Sequence, residues 1–227
     1  MKEEKMINER LAEKKQLIDK YLNMIIEKNK VMNLTAIDDY DEMWQKHVID
    51  SASVLPFIEK YNIKSMIDVG TGAGFPGMII KILKEDLDIM LLDSLNKRIK
   101  FLDEVILGLD LKNIKTIHSR AEDYARKDGR EKYDLSISRA VARLNTLLEY
   151  NLPFVKVGGI FIAMKGPGLD EELDECEKAL KTLGGEVLEV KKLEMDFGER
   201  NILIVKKINK TPKNYPRVGN KPKTNPL

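Results

Sequence analysis

The chain has very few of the cysteine and histidine residues that form disulfides and metal sites. It contains one cysteine, Cys176, and two histidines, His47 and His118, in 227 residues. A single cysteine excludes an internal disulfide and a multi-cysteine zinc site, and two histidines far apart in sequence do not predict a histidine-based metal site. Cys176 lies in a charged helical stretch, which predicts a surface or half-buried thiol. We therefore expect a protein without a metal ion.

Long apolar stretches are missing as well. No run approaches the roughly 18 apolar residues that a membrane-crossing helix needs. Residues 2–5 are all charged, unlike the apolar core of a secretory signal. These absences predict a cytoplasmic protein with no membrane contact. The remaining composition, 43% hydrophobic and 33% charged, is that of a globular protein. A chain of this length forms one domain, or one domain with an extension, and we expect a monomer.

Acidic residues are absent from the end of the chain. The net charge is only +2, yet no aspartate or glutamate follows Glu199, whereas several lysines and arginines do. A basic end attracts phosphate backbones regardless of their sequence, and the alternative is a solvated tail that only aids solubility. Prolines and few apolar residues after Thr211 predict that residues 210–227 form a basic, flexible tail.

The sequence predicts that residues 1–62 form a helical extension packed on the core. Apolar side chains from residue 7 to residue 25 fall on one face of a helix over residues 2–30. A second helix is predicted from about residue 41 to residue 61, with a kink or boundary at Pro56.

Strands and helices alternate over residues 63–209, which predicts one α/β domain with a doubly wound parallel sheet. After a first strand that ends at Val69, the predicted strands are residues 88–93, 114–118, 135–138, 159–164, 187–193 and 202–208. The predicted helices between them are residues 96–107, 144–152 and 169–183. No helix separates the last two strands, so they should pair antiparallel. This seven-stranded, mostly parallel sheet looks like the Rossmann-like fold of class I methyltransferases.

The stretch from Asp68 to Gly77 organises the chain. It reads Asp-Val-Gly-Thr-Gly-Ala-Gly-Phe-Pro-Gly between a predicted strand and a predicted helix. Such a turn lets a nucleotide-like ligand touch the main chain. From Gly72 it matches the dinucleotide fingerprint, and from Asp68 it resembles the first motif of S-adenosylmethionine-dependent methyltransferases. A dinucleotide-binding strand is usually apolar up to its first glycine, because a carboxylate without a partner is costly to bury. The carboxylate of Asp68 therefore favours the methyltransferase interpretation. A turn without a ligand is the remaining alternative.

Polar side chains follow the other predicted strands. Asp93 ends the second strand at the spacing of a ribose-binding acid, or it caps the next helix. The loop from His118 to Asp123 follows the third strand, where a carboxylate and backbone amides can read an adenine. Arg139 and Lys165 follow the fourth and fifth strands as cations suited to a phosphate, or as ordinary surface cations. The fourth strand is followed by neither the Asn/Asp-Pro-Pro-aromatic motif nor the Pro-Cys motif that other methyltransferases carry.

Together these segments resemble the glucose-inhibited division protein B (RsmG) family of methyltransferases, which modify N7 of a guanine in small-subunit (16S) ribosomal RNA. The matching segments are Asn33-Leu34-Thr35, Lys46-His47-Val48-Ile49-Asp50-Ser51, the stretch 68–77, Leu92-Asp93-Ser94-Leu95-Asn96-Lys97-Arg98, Ser119-Arg120-Ala121-Glu122, Ser138-Arg139-Ala140, Lys165-Gly166 and Gly198-Glu199-Arg200. Asn96 stands where some members have glycine.

The resemblance implies that Gly70, Phe75, Ala121, Glu122 and Arg139 meet S-adenosylmethionine, to which the residue patterns add Gly72 and Asp93. Arg139, Lys165 and Arg200 are the candidates for binding RNA, either free small-subunit ribosomal RNA or a partly assembled small subunit. We assign no catalytic side chain, because guanine N7 carries a lone pair and no proton. The alternatives are a methyltransferase of another RNA or a small molecule, a non-catalytic RNA-binding protein and a nicotinamide-dependent oxidoreductase.

Overall fold

The computed structural model describes residues 2–227. Its α-helices are α1 (Lys2–Asn29), α2 (Tyr40–Met43), α3 (Asp50–Ala52), α4 (Leu55–Lys60), α5 (Gly77–Leu83), α6 (Asn96–Gly108), α7 (Ala121–Ala125), α8 (Leu144–Asn151), α9 (Leu169–Asp174), α10 (Glu177–Leu183) and α11 (Lys221–Thr224). A π-helical turn (Trp44–Ile49) and a 3-10 turn (Leu152–Phe154) add to them. The strands are β1 (Ser65–Val69), β2 (Asp88–Asp93), β3 (Ile114–His118), β4 (Tyr133–Arg139), β5 (Val155–Lys165), β6 (Gly185–Met195) and β7 (Gly198–Lys207).

The seven strands form one sheet in the order β3-β2-β1-β4-β5-β7-β6. β1 pairs parallel with β4, β2 with β3 and β4 with β5, whereas β7 runs antiparallel to both β5 and β6. This confirms the predicted seven-stranded, mostly parallel sheet, its antiparallel last pair and the N-terminal helix.

The chain divides into two compact units. The first holds residues 2–64 and Thr71–His118, and the second holds Ser65–Gly70 and Ser119–Leu227. The domain boundaries after residues 62 and 209 stay predictions. No helix within residues 2–227 is long and apolar enough to cross a membrane.

In the first unit, α1 packs through the apolar face that its sequence predicts. Leu11, Ile18, Leu22 and Ile25 are buried, and the helix contacts α5. Burying side chains of this size stabilises the packed helix by about 1.5–3 kcal/mol each. Residues 40–52 form one continuous helical run made of α2, the π-helical turn and α3, and residues 53–54 separate it from α4. The helix predicted over residues 41–61 is therefore present, with a π-helical stretch that apolar periodicity does not predict. Pro56 stands in the first turn of α4, confirming the predicted boundary.

In the second unit, Cys176 is fully buried in an apolar cluster with residues of α8, α10 and β7. The expectation of a surface or half-buried thiol is therefore wrong. Burial raises the pKa of this thiol to about 12, which keeps it protonated and unreactive at neutral pH. Cys176 also lies where the helix expected over residues 169–183 divides into α9 and α10.

The end of the chain also differs from its prediction. Residues 210–227 were expected to be flexible, but Thr211, Pro216 and Pro222 are buried. Arg217 forms an ion pair with the buried Glu149 of α8, with Nη2 2.6 Å from Oε2. Composition alone misses these contacts because their partners lie elsewhere in the chain.

Candidate functional site

The glycine turn begins in the second unit, directly after β1. Asp68 is fully buried on this strand. Gly70 has a φ of +75°, a left-handed conformation that favours glycine. A Cβ atom built on Gly70 would lie 2.7 Å from Cγ2 of Val141, which follows β4. Both the backbone and its surroundings therefore require glycine at position 70.

The turn continues in the first unit, where α1 holds it. Gly72 and Gly74 have φ values of +62° and +110°. The Tyr21 hydroxyl donates a hydrogen bond to the carbonyl of Ala73 at 2.7 Å. A Cβ atom on Gly74 would lie 2.5 Å from that same hydroxyl. Glycine at position 74 thus allows the close approach of the helical extension.

Asp93, at the end of β2, ties the turn to the sheet. Its Oδ2 accepts the backbone N–H of Gly72 at 2.9 Å and Nη1 of Arg98 at 3.3 Å, while Oδ1 accepts the N–H of Leu95 at 2.8 Å. The side chain is 3% exposed. The sequence predicts Asp93 as a ribose-binding or helix-capping acid, and the structure adds a contact of Asp93 to the glycine turn itself. Since an ionised carboxylate offers about four lone-pair sites, Asp93 keeps capacity for a ligand hydroxyl.

Phe75 lies in a small aromatic group of the first unit. Its ring centroid is 5.4 Å from that of Tyr21 and 4.6 Å from that of His47. His47 lies in the π-helical turn, and its Nε2 is 3.1 Å from the hydroxyl oxygen of Thr35. Sequence reasoning assigned no role to Tyr21, Thr35 or His47, although two of the segments that matched the family contain the last two.

In the second unit, α7 begins directly at the predicted residues Ala121 and Glu122. Glu122 is 3% exposed, and its Oε1 accepts Nε of Arg120 at 2.5 Å. That hydrogen bond raises the pKa of Arg120 above its usual value. The pairing fixes the direction of the Glu122 carboxylate.

Arg139 and Lys165 reach the same sheet edge of the second unit. Arg139 ends β4 and lies opposite Met164 of β5, one residue before Lys165. The Ser138 hydroxyl donates to the carbonyl of Val69 at 3.0 Å, which joins β4 to β1 at this edge. Ala140 then has a φ of +55°, a conformation that costs a non-glycine residue free energy. The left-handed backbone ends the strand directly after Arg139.

Lys165 already has a carboxylate partner. Its Nζ is 2.8 Å from Oε2 of Glu172 in α9 and donates to the carbonyl of Ala142 at 3.2 Å. The Lys165 side chain is 13% exposed. The lysine therefore holds the loop after β4, and it is not the freely solvated cation that the sequence alone suggests.

Arg200 lies near the same edge, because its neighbour Asn201 pairs with Lys165 across β5 and β7. Its guanidinium carbon lies 4.9 Å from the ring centroid of Phe197, and Nη1 donates to the Glu199 carbonyl at 2.9 Å. The second unit thus gathers all three predicted RNA-binding cations at the ends of β4, β5 and the start of β7.

The sequence matches the family model of rRNA small subunit methyltransferase G over residues 14–203. It is 52% identical over 210 residues to the ribosomal RNA small subunit methyltransferase G of Acetivibrio thermocellus, covering 91% of this chain and 86% of that protein. The enzyme of the same name from Clostridium tetani is 51% identical over 201 residues, covering 87% of this chain and 84% of that one.

Solved structures share the fold at low sequence identity. A SAM-dependent methyltransferase from Aquifex aeolicus has a TM-score of 0.52 and 20% identity, over 74% of this chain and 94% of that one. TrmN from Thermus thermophilus has a TM-score of 0.53 and 14% identity, over 72% of this chain and 53% of that one.

Proposed function

Because the chain belongs to the rRNA small subunit methyltransferase G family, we propose roles for its residues in that family's reaction. The membership confirms the resemblance found in the sequence. The reaction transfers a methyl group from S-adenosylmethionine to N7 of a guanine in small-subunit (16S) ribosomal RNA. The structural observation that carries the proposal is the glycine turn, whose Gly72 N–H is bound by Asp93 at 2.9 Å.

The residues present suit S-adenosylmethionine. Gly72 is left-handed, only partly buried and without a side chain, so a ligand can approach the backbone of the turn there. Buried carboxylates at Asp93 and Glu122 are acceptors suited to the hydroxyls of a ribose and to the exocyclic amine of an adenine. When bound, S-adenosylmethionine supplies an electrophilic methyl group on a sulfonium.

In the first unit, we assign Gly72, Phe75 and Asp93 to the cofactor. Gly72 offers its backbone to the ligand, and Asp93 accepts a ribose hydroxyl through the one lone-pair site that Gly72, Leu95 and Arg98 leave free. Phe75 is buried against Tyr21 and His47, and its assignment rests on the resemblance of its motif to the family.

In the second unit, Gly70, Ala121, Glu122 and Arg139 complete the assignment. Ala121 and Glu122 lie in the first turn of α7, where Arg120 orients the carboxylate. Arg139 stands at the end of β4, next to β1, and we assign it to both cofactor and RNA.

Arg139, Lys165 and Arg200 are assigned to RNA phosphates, since contacts of this kind orient a nucleic acid and carry little sequence information. For Lys165, a phosphate must compete with Glu172 for the ammonium. No side chain is assigned as a base, because guanine N7 attacks through its own lone pair. The chain's work is to orient the guanine and to exclude water.

The proposed substrate is the free ribosomal RNA or a partly assembled small subunit. N7 of a base-paired guanine lies in the deep, narrow major groove of duplex RNA, so the guanine must be in an exposed loop. We propose that the protein acts there as a cytoplasmic monomer.

Methyl transfer from labelled S-adenosylmethionine to purified 16S ribosomal RNA, followed by nucleoside analysis, tests this proposal. We expect label in 7-methylguanosine. A thermal shift with S-adenosylmethionine, and none with NAD(H), should accompany it, because a ligand that binds the folded state raises its apparent stability. Label in another nucleoside, or no label in the free RNA and in partly assembled small subunits alike, would contradict the proposal.

A further inference from the structure

The chain continues beyond its family match, which ends at residue 203. Residues 208–227, named here the C-terminal segment, lie on the second unit. The N–H of Thr211 donates to Oε1 of Glu131 at 3.0 Å, and the Thr146 hydroxyl donates to the carbonyl of Pro222 at 3.0 Å. The segment is therefore fixed near both of its ends.

An ion pair anchors the middle of the C-terminal segment. The backbone N–H and Nε of Arg217 donate to Oε1 of Glu149 at 2.7 and 3.0 Å, and Nη2 donates to Oε2 at 2.6 Å. Glu149 is fully buried in α8. Since a buried carboxylate without its partner is strongly destabilising, this contact fixes the path of the segment over α8.

The C-terminal segment accepts hydrogen bonds from the residues that flank α7 at both ends. Nη2 of Arg120, the residue before the helix, donates to Oδ1 of Asn220 at 2.9 Å. Nη1 of Arg126, the residue after it, donates to the carbonyl of Pro216 at 2.8 Å. A helix of five residues is too short to be stable alone, so tertiary contacts of this kind determine where α7 lies.

Arg120 connects Asn220 of the C-terminal segment to Glu122, the residue proposed to bind the cofactor. The same guanidinium that bonds Asn220 through Nη2 bonds Oε1 of Glu122 through Nε, at 2.5 Å. A planar guanidinium fixed at two of its nitrogens has a defined orientation, and so does the carboxylate bound to it.

We propose that Asn220 is a positioning residue for the cofactor site, which through Arg120 fixes the Glu122 carboxylate for the adenine of S-adenosylmethionine. This inference rests on the proposed function of α7. The C-terminal segment, which lies outside the family match, would then increase the affinity for the cofactor.

The test compares four variants of the full chain by calorimetry with S-adenosylmethionine and by steady-state methylation of ribosomal RNA. Asn220→Ala should raise the Kd and the KM for S-adenosylmethionine roughly five- to tenfold and leave kcat unchanged. Asn220→Asp, which keeps an acceptor for Arg120, should restore both within about twofold. Asn225→Ala, an exposed asparagine of the same segment, is the matched control and should bind like the wild type. Glu122→Ala, which removes the acceptor for the adenine, is the reference and should bind weakly.

The outcomes separate this inference from the proposed function. Weak binding by Glu122→Ala with normal binding by Asn220→Ala overturns the role of Asn220 and leaves the function standing. Normal binding by Glu122→Ala shows that Glu122 does not bind the cofactor and overturns both assignments. Equal weakening by Asn220→Ala and Asn225→Ala, or no recovery in Asn220→Asp, indicates a general loosening of the segment and also overturns the inference.

Discussion

The backbone N–H of Gly72 donates a hydrogen bond of 2.9 Å to Oδ2 of Asp93. One carboxylate at the end of β2 thus fixes the conformation of the glycine turn at Gly72. Both oxygens of Asp93 already accept backbone N–H groups, from Gly72 and Leu95, and the proposed binding of a ribose is a second role. A cofactor analogue that lacks the hydroxyl can distinguish this role from the contact to the turn.

Asp93→Asn keeps the size of the side chain and one acceptor oxygen but removes the charge. We expect it to weaken binding of S-adenosylmethionine by about 1–3 kcal/mol in calorimetry, because the ribose hydroxyls lose a charged acceptor. Asp110→Asn, at an exposed position of the same unit, is the control and should bind normally. If the wild type binds a 2′-deoxyribose analogue as tightly as the natural cofactor, Asp93 serves the turn alone.

Gly72→Val should abolish cofactor binding while the protein stays folded. The φ of +62° costs an L-residue about 1–2 kcal/mol, and a branched side chain would cover the backbone that the ligand approaches. Gly108→Ala is the control, since its Cβ atom would meet Met24 at an ordinary 3.4 Å. Calorimetry measures the affinities, and circular dichroism checks folding. Binding by Gly72→Val within about twofold of the wild type, roughly 0.4 kcal/mol, would remove the turn from the cofactor site.

The strands of the fold were predictable because their signal is local. β2 and β3 match the predicted residues 88–93 and 114–118. β2 is a continuous apolar run of the kind that marks a buried parallel strand, whereas β3 is an edge strand of mixed polarity. The antiparallel last pair was predictable from the missing crossover helix.

Features that depend on distant partners were not predictable. The sequence predicts Lys165 as a cation in a loop, and it does not predict the ion pair with Glu172, in which Nζ and Oε2 are 2.8 Å apart. Residues 210–227 read as disordered because their anchors, Glu131, Glu149 and Thr146, lie more than 60 residues earlier. The hydrogen bond between Gly72 and Asp93 spans 21 residues, and nothing in the local sequence around Asp93 predicts it.

Lys165→Ala and Arg139→Ala should have different effects. We expect Lys165→Ala to leave cofactor affinity intact, to raise the KM for ribosomal RNA and to reduce the salt dependence of RNA binding by nearly one phosphate contact. Arg139→Ala should damage both cofactor binding and methyl transfer. Cofactor affinity and RNA methylation across a salt series are the measurements.

Lys192→Ala is the matched control for this pair, because Lys192 is an exposed lysine of the same unit that pairs with Asp170. Unchanged RNA kinetics in Lys165→Ala would limit Lys165 to holding the loop through Glu172 and Ala142. Normal cofactor affinity in Arg139→Ala would confine Arg139 to the RNA.

Lys207 should make stability depend on pH in the neutral to basic range. Its ammonium is fully buried and donates to the carbonyls of Leu152 and Leu183, each at 2.9 Å, and to the Thr211 hydroxyl. Three acceptors favour the charged form, but burial opposes it and lowers the pKa of Lys207 to about 7. An unfolded lysine has a pKa near 10.4. Between these two values the unfolded chain binds more protons, so the contribution of this residue to the free energy of unfolding rises with pH.

Lys207→Met removes that dependence. Relative to this variant, the wild type should gain about 2 kcal/mol in free energy of unfolding from pH 7 to pH 9, measured by denaturant titration at each pH. Lys206→Met, an exposed neighbour on the same strand, is the control and should follow the wild type. Parallel curves for the wild type and Lys207→Met would show that the three acceptors keep the ammonium charged throughout this range.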